Sequence, residues 1–494
     1  MNPDSLKTEM KRLWKETFHD SDDYIDLVFD TYFDPELVAW HEAGGRLVSA
    51  LLAIPYTFRQ GSRSLRALYL CGLATDPAFR RRGIMDSLLY EINAKGAEKG
   101  FAFSFLIPAD EGLHRFYLNR GYSFATFRVP DRYVSSHDFE RSYFNMLNAE
   151  PRMTGELKKR YFNTLSVEPL GLSLDDLKEI KIFDKNDDKK ESESVFEKIE
   201  KLESKIDSEN SSENDSKSGL GCCIINRPKK DPKSEKKSTF DLSKNDELIS
   251  ALYDVMRMCE SGNDYLVLAH SPQDFLTAVK ENFISGGEVV WCRSRCDRVP
   301  TGLAFVTLSD GEVVVPYILS TDRCSLFRML DFIKKRYPDR SMTVYRFPEQ
   351  VDRKGIVADY YSGVMPAAPL VGTVNAVERV ADIAANAPVY GMARILSVSE
   401  ILKFLKIDPK DPKYSILVNG QKWTSEGFES EIKNKTAVGE SSGKSSRKSS
   451  RKTTMSLTIE QLQQILFRRK DTDPLMGDLL GLPRLALNMA LLLD

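Results

Sequence analysis

The stretch Leu73-Ala74-Thr75-Asp76-Pro77-Ala78-Phe79-Arg80-Arg81-Arg82-Gly83-Ile84-Met85 decides how this chain is read. An apolar run over residues 65–75 stops at Asp76-Pro77, and three arginines and a glycine come next. Ile84, Leu88, Leu89 and Ile92 then recur at helical spacing to about residue 97, with Gly100 as the stop. The pattern predicts a strand, a basic turn and a helix. Free N–H groups at a helix start, aided by the helix dipole, make an anion site. Gly83 lets a phosphate approach the backbone closely, and the arginines add charge-assisted hydrogen bonds. The loop taken by itself equally suits an exposed basic turn that caps a helix.

The flanking sequence supplies context. Upstream, Leu6, Met10, Leu13, Trp14 and Phe18 predict one helix, and Ile25, Val28, Phe29 and Tyr32 a second. Strands are expected over 37–41, 47–54 and 65–75, with Gly44-Gly45 turning between the first two. Downstream come a strand over 101–107, a short helix over 113–119 and a strand over 122–129. This is an α+β pattern that closes in βαβ units.

Residues 180–245 are dominated by Lys, Glu, Asp, Ser and Asn, too little apolar surface to offset ordering entropy. Ordered texture resumes at Asp246 with a helix carrying Leu248, Ile249, Leu252 and Met256. Ser271-Pro272 opens another helix. Strands over 289–292, 303–308 and 313–318, a helix over 324–335 and a strand over 342–347 repeat the order of the first part. Asp310-Gly311 makes a hairpin turn. From about Tyr390 there is a third stretch, with a helix around Ile401, Leu402 and Leu405, a strand over 414–418 and the turn Asn419-Gly420. A basic low-complexity loop covers 439–452. Thr458 and Gln461 form a capping box.

The loop Arg80-Arg81-Arg82-Gly83-Ile84-Met85 resembles the acetyl-CoA loop of the GNAT acetyltransferases, Arg/Gln-x-x-Gly-x-Gly/Ala, with Met85 in place of the last small residue. Phe116-Tyr117, succeeded by Gly121-Tyr122, resembles that family's second hallmark, at the expected distance. The resemblance implies an α+β GNAT fold, a mixed twisted sheet with helices on both faces, over residues 1–145. It implies that Leu73, Ala74 and Thr75 bind the pantetheine arm. Arg80, Arg81, Arg82, Gly83, Ile84, Met85 and Asp86 would bind the cofactor's phosphates. Tyr117 would be the general acid.

Most of the chain, outside its two low-complexity insertions, resembles the Eis-type acetyltransferases, the third domain loosely. That adds a second GNAT-like domain at 146–385, carrying the 180–245 insertion and lacking a phosphate loop. It also adds a sterol-carrier-protein-like α/β domain at 386–494 with a low-complexity loop about 430–453. In that family the terminal carboxylate enters the site. The apolar run over residues 485–493 suggests a docked tail that would bring Asp494 there as the base; packing on the third domain is the plainer alternative. His114 is a further candidate acid or base. The implied function is acetyl transfer from acetyl-CoA, as co-substrate, to a primary amine of aminoglycoside, polyamine or lysine type, in a ternary complex. A homo-oligomer, a hexamer by resemblance, goes with it. The alternative is a non-catalytic acyl-CoA or apolar-ligand sensor.

Composition narrows the partners. Seventy lysines and arginines against 72 aspartates and glutamates exclude a polyanion-coating protein, so nucleic acid is not an expected partner. No apolar stretch approaches ~18 residues, so no membrane partner is expected. The N-terminus lacks a secretory apolar core. The seven cysteines fit no zinc or disulfide spacing. A cytoplasmic protein without metal is the expectation.

Overall fold

A computed structural model gives the fold. It describes residues 1–133, 164–180, 244–260, 266–295, 299–321, 323–346, 389–406, 415–418, 421–424, 427–430, 454–467, 485 and 487–488. Residues 181–243 of the charged stretch, the basic loop 439–452, the turn Asn419-Gly420 and Asp494 lie outside the described residues.

The N-terminal helix is α1 (Pro3–Phe18). The Asn2 side chain accepts from the Ser5 N–H at 2.8 Å, and Pro3 sits where no N–H is needed. Next is α2 (Asp22–Tyr32), capped by Ser21. Then come β1 (Val38–Ala43), β2 (Arg46–Gln60) and β3 (Arg63–Thr75), the last two longer than the sequence implied. Gly44 and Gly45 both adopt positive φ at the expected turn. α3 (Ile84–Glu98), β4 (Phe103–Leu106), α4 (Gly112–Leu118) and β5 (Ser123–Phe127) complete the expected order.

β2 alternates from Ala50 to Phe58. Ala50, Leu52, Ile54, Tyr56 and Phe58 pack into one apolar cluster with Leu6, Met10, Leu13 and Trp14 of α1. Leu51 and Ala53 face the opposite cluster with Leu88, Leu89 and Ile92 of α3. With helices on both faces, a central strand reads as an almost unbroken apolar run. Each fully buried Leu or Phe contributes roughly 1.5–3 kcal/mol.

The second unit contains β6 (Val129–Tyr133), β7 (Leu165–Pro169), α5 (Leu174–Glu179), α6 (Asn245–Glu260), β8 (Leu266–Ala269), α7 (Pro272–Ile284), β9 (Glu288–Ser294), β10 (Pro300–Ser309), β11 (Glu312–Ser320), α8 (Arg323–Arg336) and β12 (Met342–Arg346). Asp310 and Gly311, both at positive φ, make the hairpin turn between β10 and β11. The third contains β13 (Val389–Ile395), α9 (Val398–Phe404), β14 (Ser415–Val418), β15 (Gln421–Thr424), β16 (Gly427–Ser430), β17 (Thr454–Leu457), α10 (Ile459–Leu466) and β18 (Leu487–Asn488).

The sheets do not respect chain order. The first runs β18-β8-β2-β3-β4-β13-β5, with β1 also on β2; the second runs β6-β12-β11-β10-β9-β7; the third runs β16-β15-β14-β17. β13, which the sequence placed at the head of the third stretch, lies between β4 and β5, antiparallel to both. β6, just after β5 in the chain, instead pairs with β12 in the second sheet. The first sheet therefore takes three strands, β8, β13 and β18, from distant segments, and the second takes β6. Among the described residues, no helix is long and apolar enough to cross a membrane.

Candidate functional site

The site begins where two parallel strands part. β3 and β4 pair at Ala67–Phe103, Leu68–Ser104 and Tyr69–Phe105. β4 ends at Leu106, while β3 continues to Thr75 in register with β2 only. The facing edge of residues 70–75 thus carries no ladder to β4, and a fork opens at the carboxyl ends. Within this reach β3 holds a bulge. Ala50 opposes Ala74 and Leu52 opposes Cys71, so Leu51 faces both Gly72 and Leu73. A bulge bends a strand and re-aims the residues beyond it. Gly72 has φ +60°, and a Cβ there would lie 2.1 Å from Trp14 Cζ3. The sequence reading passed over Gly72; its signal is a glycine inside an apolar strand.

Ser49 was also passed over. It is the one polar residue in the apolar run over 47–54, and it is fully buried. Its Oγ donates to the Ala74 carbonyl at 3.1 Å and meets Thr75 Oγ1 at 2.8 Å. Arg80 Nε donates to the Thr75 carbonyl at 2.9 Å. Ala74 and Thr75 are therefore held from β2 and from the loop, whereas Leu73 stands outside the β2 register.

The loop is built to present free donors. Asp76 accepts from the Ala78 N–H at 2.9 Å and starts one 3₁₀ turn, Pro77–Phe79. Arg82 Nη2 donates to the Ala78 carbonyl at 2.9 Å, and its guanidinium lies 5.0 Å from the Phe79 ring centre. Arg81 adopts φ +62°, a left-handed conformation costing roughly 1–2 kcal/mol outside glycine. Gly83, at φ +76°, is the N-cap of α3 and has no side chain to cap it. The first N–H groups of α3 thus lack a side-chain partner, the condition for anion binding. Arg80, Arg81 and Arg82 are exposed, and none pairs with a carboxylate among the described residues. Asp86 differs: its carboxylate pairs with Arg120, so what it offers a ligand is its N–H. Ile84 and Met85 pack half-buried against the cluster under α3.

Tyr117 is in that same cluster, with Leu73, Leu70 and Met392. It is placed by the end of α4. The Tyr122 N–H donates to the Tyr117 carbonyl at 3.2 Å, and the Gly121 N–H donates to the Leu118 carbonyl at 3.1 Å. Gly121 is left-handed, and the Tyr117 and Tyr122 rings meet edge to face at 5.8 Å. This is a complete Schellman motif with its apolar contact. Tyr117 is 6% exposed, and its hydroxyl has no hydrogen-bond partner among the described residues. Burial pushes its phenol well above the usual tyrosine range, so it stays protonated at neutral pH. His114 is half-buried, its ring edge-on to Phe124 at 5.4 Å.

The chain returns to this sheet near its end. β18 is parallel to β8, β8 is antiparallel to β2, and β2 is antiparallel to β3. β18 therefore runs toward the end of the sheet where β3 and β4 part. Thr126 Oγ1 on β5 donates to the Leu487 carbonyl at 2.7 Å, joining the two outer strands of the sheet.

Residues 3–125 match the family model of an acetyltransferase (GNAT) domain. This part of the chain is a GNAT acetyltransferase domain, and the protein is accordingly an acyltransferase. No curated protein matches the chain. Among solved structures it is similar to a probable N-acyltransferase from Enterococcus faecalis, at 12% identity over 85% of this chain and 81% of that one, TM-score 0.45. A GCN5-related N-acetyltransferase from Anabaena variabilis is 10% identical over 93% and 87%, TM-score 0.48. Eis1 from Mycobacterium abscessus is 9% identical over 93% and 87%, TM-score 0.49.

Proposed function

We propose that the protein transfers an acetyl group from acetyl-CoA to a primary amine of aminoglycoside, polyamine or lysine type, directly within a ternary complex. The observation that carries this is one juxtaposition. The open edge of β3, a helix start without a side-chain cap flanked by exposed arginines, and a phenol without a hydrogen-bond partner among the described residues share one end of one sheet.

Those residues suit acetyl-CoA. The N–H groups of Gly83, Ile84, Met85 and Asp86, with Arg80, Arg81 and Arg82, would hold its phosphates. The β3 edge at Leu73, Ala74 and Thr75 would take the pantetheine amides, with Leu73 the least committed to other partners. Bound acetyl-CoA supplies a thioester whose carbonyl carbon an amine can attack, with the CoA sulfur leaving. A backbone N–H at the fork polarises the carbonyl. Tyr117 holds its proton at Oη until the sulfur leaves, then donates it there. Asp494 takes the proton from the attacking amine; the direction of β18 supports this assignment.

Direct transfer is favoured over a covalent cysteine route. Cys71 lies on β3 beside the fork, but burial pushes its thiol far up, and a thiol is a poor nucleophile compared with a thiolate.

The same reading extends to an Eis-type architecture: a GNAT domain over 1–145, a second GNAT-like domain over 146–385, and a sterol-carrier-protein-like domain over 386–494. A homo-hexamer and a cytoplasmic location belong to it. Tyr117→Phe should cut kcat by about 10²- to 10⁴-fold and leave acetyl-CoA affinity nearly unchanged. Unchanged turnover would remove Tyr117 from its role. Deleting Asp494, and extending the chain beyond it with a tag, test the base in the same assay, and full activity in both would dismiss it.

A further inference from the structure

The helix that carries Tyr117 is finished by residues from more than 270 positions along the chain. Arg120 and Gly121 close α4, and neither of their carbonyls is left to solvent. Arg394 on β13 donates from Nη1 to the Arg120 carbonyl at 2.7 Å. Gln463 on α10 donates from Nε2 to the Gly121 carbonyl at 2.9 Å and to Ser123 Oγ at 2.7 Å. Its Oε1 accepts the Ile395 N–H at 2.8 Å.

Gln463 is 1% exposed and sits among Leu462, Ile465 and Leu466 on the buried face of its helix. An amide in such a stripe costs free energy unless every group is paired, and here each is. Packing by itself would be served by leucine. What the amide adds is a fixed distance between α10, β13 and the turn after α4. That turn is the same Schellman motif that places the Tyr117 backbone and holds its ring against Tyr122.

We propose that Gln463, assisted by Arg394, is a positioning residue for Tyr117. By clasping the turn at Arg120, Gly121 and Ser123 it fixes where the phenol stands at the fork. The C-terminal part of the chain thereby sets the rate of a reaction in the first domain through contacts that touch no substrate. The inference rests on the reading of Tyr117 as general acid.

The test is a pair of double-mutant cycles on the full chain. Gln463→Leu and Arg394→Met are each made with Tyr117 intact and with Tyr117→Phe. Thiol release from acetyl-CoA is monitored with spermine, Nα-acetyl-lysine and kanamycin as acceptors, and acetyl-CoA binding by calorimetry. With Tyr117 intact, kcat should fall by about tenfold to about a hundredfold, the scale of a small misplacement of a catalytic group. The acetyl-CoA Kd should stay within about twofold, which separates misplacement from lost binding. With Tyr117→Phe, the same changes should cost nothing further. Arg394→Lys should restore turnover, because its ammonium can still donate to the Arg120 carbonyl.

Equal losses in both backgrounds, or a loss confined to Kd, would overturn the proposal. Wild-type turnover in Gln463→Leu, with Tyr117→Phe slow, would overturn it while sparing the general acid. Full turnover in Tyr117→Phe would bring down both. If Gln463→Leu does not fold, the half-exposed Arg394 carries the same cycle.

Discussion

Gly72→Ala attacks the bulge that aims the end of β3. Two costs arise from the geometry. Gly72 is at φ +60°, and a left-handed conformation costs a residue with a Cβ about 1–2 kcal/mol. The new Cβ would also sit 2.1 Å from Trp14 Cζ3 and 2.6 Å from Cε3, well inside contact distance. The ring cannot swing away freely. Its Nε1 donates to Asp20 at 2.7 Å, and Phe29 and Phe18 meet it edge-on at 5.6 and 5.4 Å. Overpacking of this kind costs about 1–3 kcal/mol. The sum, about 2–5 kcal/mol, should lower the melting midpoint by roughly 2–5 °C for a cooperative unit the size of this chain. Trp14→Leu should also destabilise the chain. The double variant should lose less than the two singles together, by about the 1–3 kcal/mol of relieved overpacking. Thermal unfolding monitored by fluorescence, with calorimetric titration of acetyl-CoA, reads both effects. Gly72→Ala should also weaken acetyl-CoA binding by about tenfold, because the strand edge is re-aimed. Strict additivity, or a Gly72→Ala variant as stable as the parent, would refute the packing argument.

The loop and the buried phenols carry the other expectations. Arg81→Gly should stabilise the fold by up to about 1–2 kcal/mol by relieving the left-handed backbone, while weakening acetyl-CoA binding. Thermal melting and calorimetry check the two signs separately. Acetyl-CoA affinity should fall between low salt and about 0.5 M salt, because the three arginines are exposed and screened; a salt-independent Kd would contradict phosphate binding there. Tyr32, Tyr56, Tyr117 and Tyr122 all have phenols raised by burial above the unfolded tyrosine value. A group raised on folding gives stability that is full below its unfolded pKa and lost as pH rises toward the folded one. Melting temperature should therefore show no loss from these groups below about pH 10 and fall above it. A decline assignable to tyrosine ionisation near neutral pH would contradict their burial.

Much of the first sheet was legible because its signals are local. Periodicity placed α1, α2 and α3, the glycine pair placed the first hairpin, and the arginine loop announced a helix start without a capping side chain. Tyr117 was legible as part of Phe116-Tyr117, but its Schellman lock was not, since Gly121 takes meaning only once its two hydrogen bonds exist. The entry of β13 into the first sheet and of β6 into the second had no local signal. Ala393-Arg394-Ile395 reads only as the lead into the helix around Ile401; that Val389–Ile395 is a strand paired with Phe103–Leu106 spans more of the chain than any periodicity can report. The sequence reading placed the helix opened by Thr458 but did not single out Gln463. Its three partners come from α4's turn, β5 and β13, and only the fold brings them together.

The central claim is that the forked end of the first sheet moves an acetyl group from acetyl-CoA to an amine. The most direct measurement uses acetyl-CoA carrying an isotopic label in its acetyl group. The chain is incubated with it and with spermine, Nα-acetyl-lysine and kanamycin, and the amines are analysed by mass spectrometry while free thiol is counted. The expected result is label in at least one amine, in amounts equal to the CoA released, with the rate strongly reduced by Tyr117→Phe. Acetyl-CoA that binds without labelling any amine, or label transfer indifferent to Tyr117, would contradict the proposed mechanism.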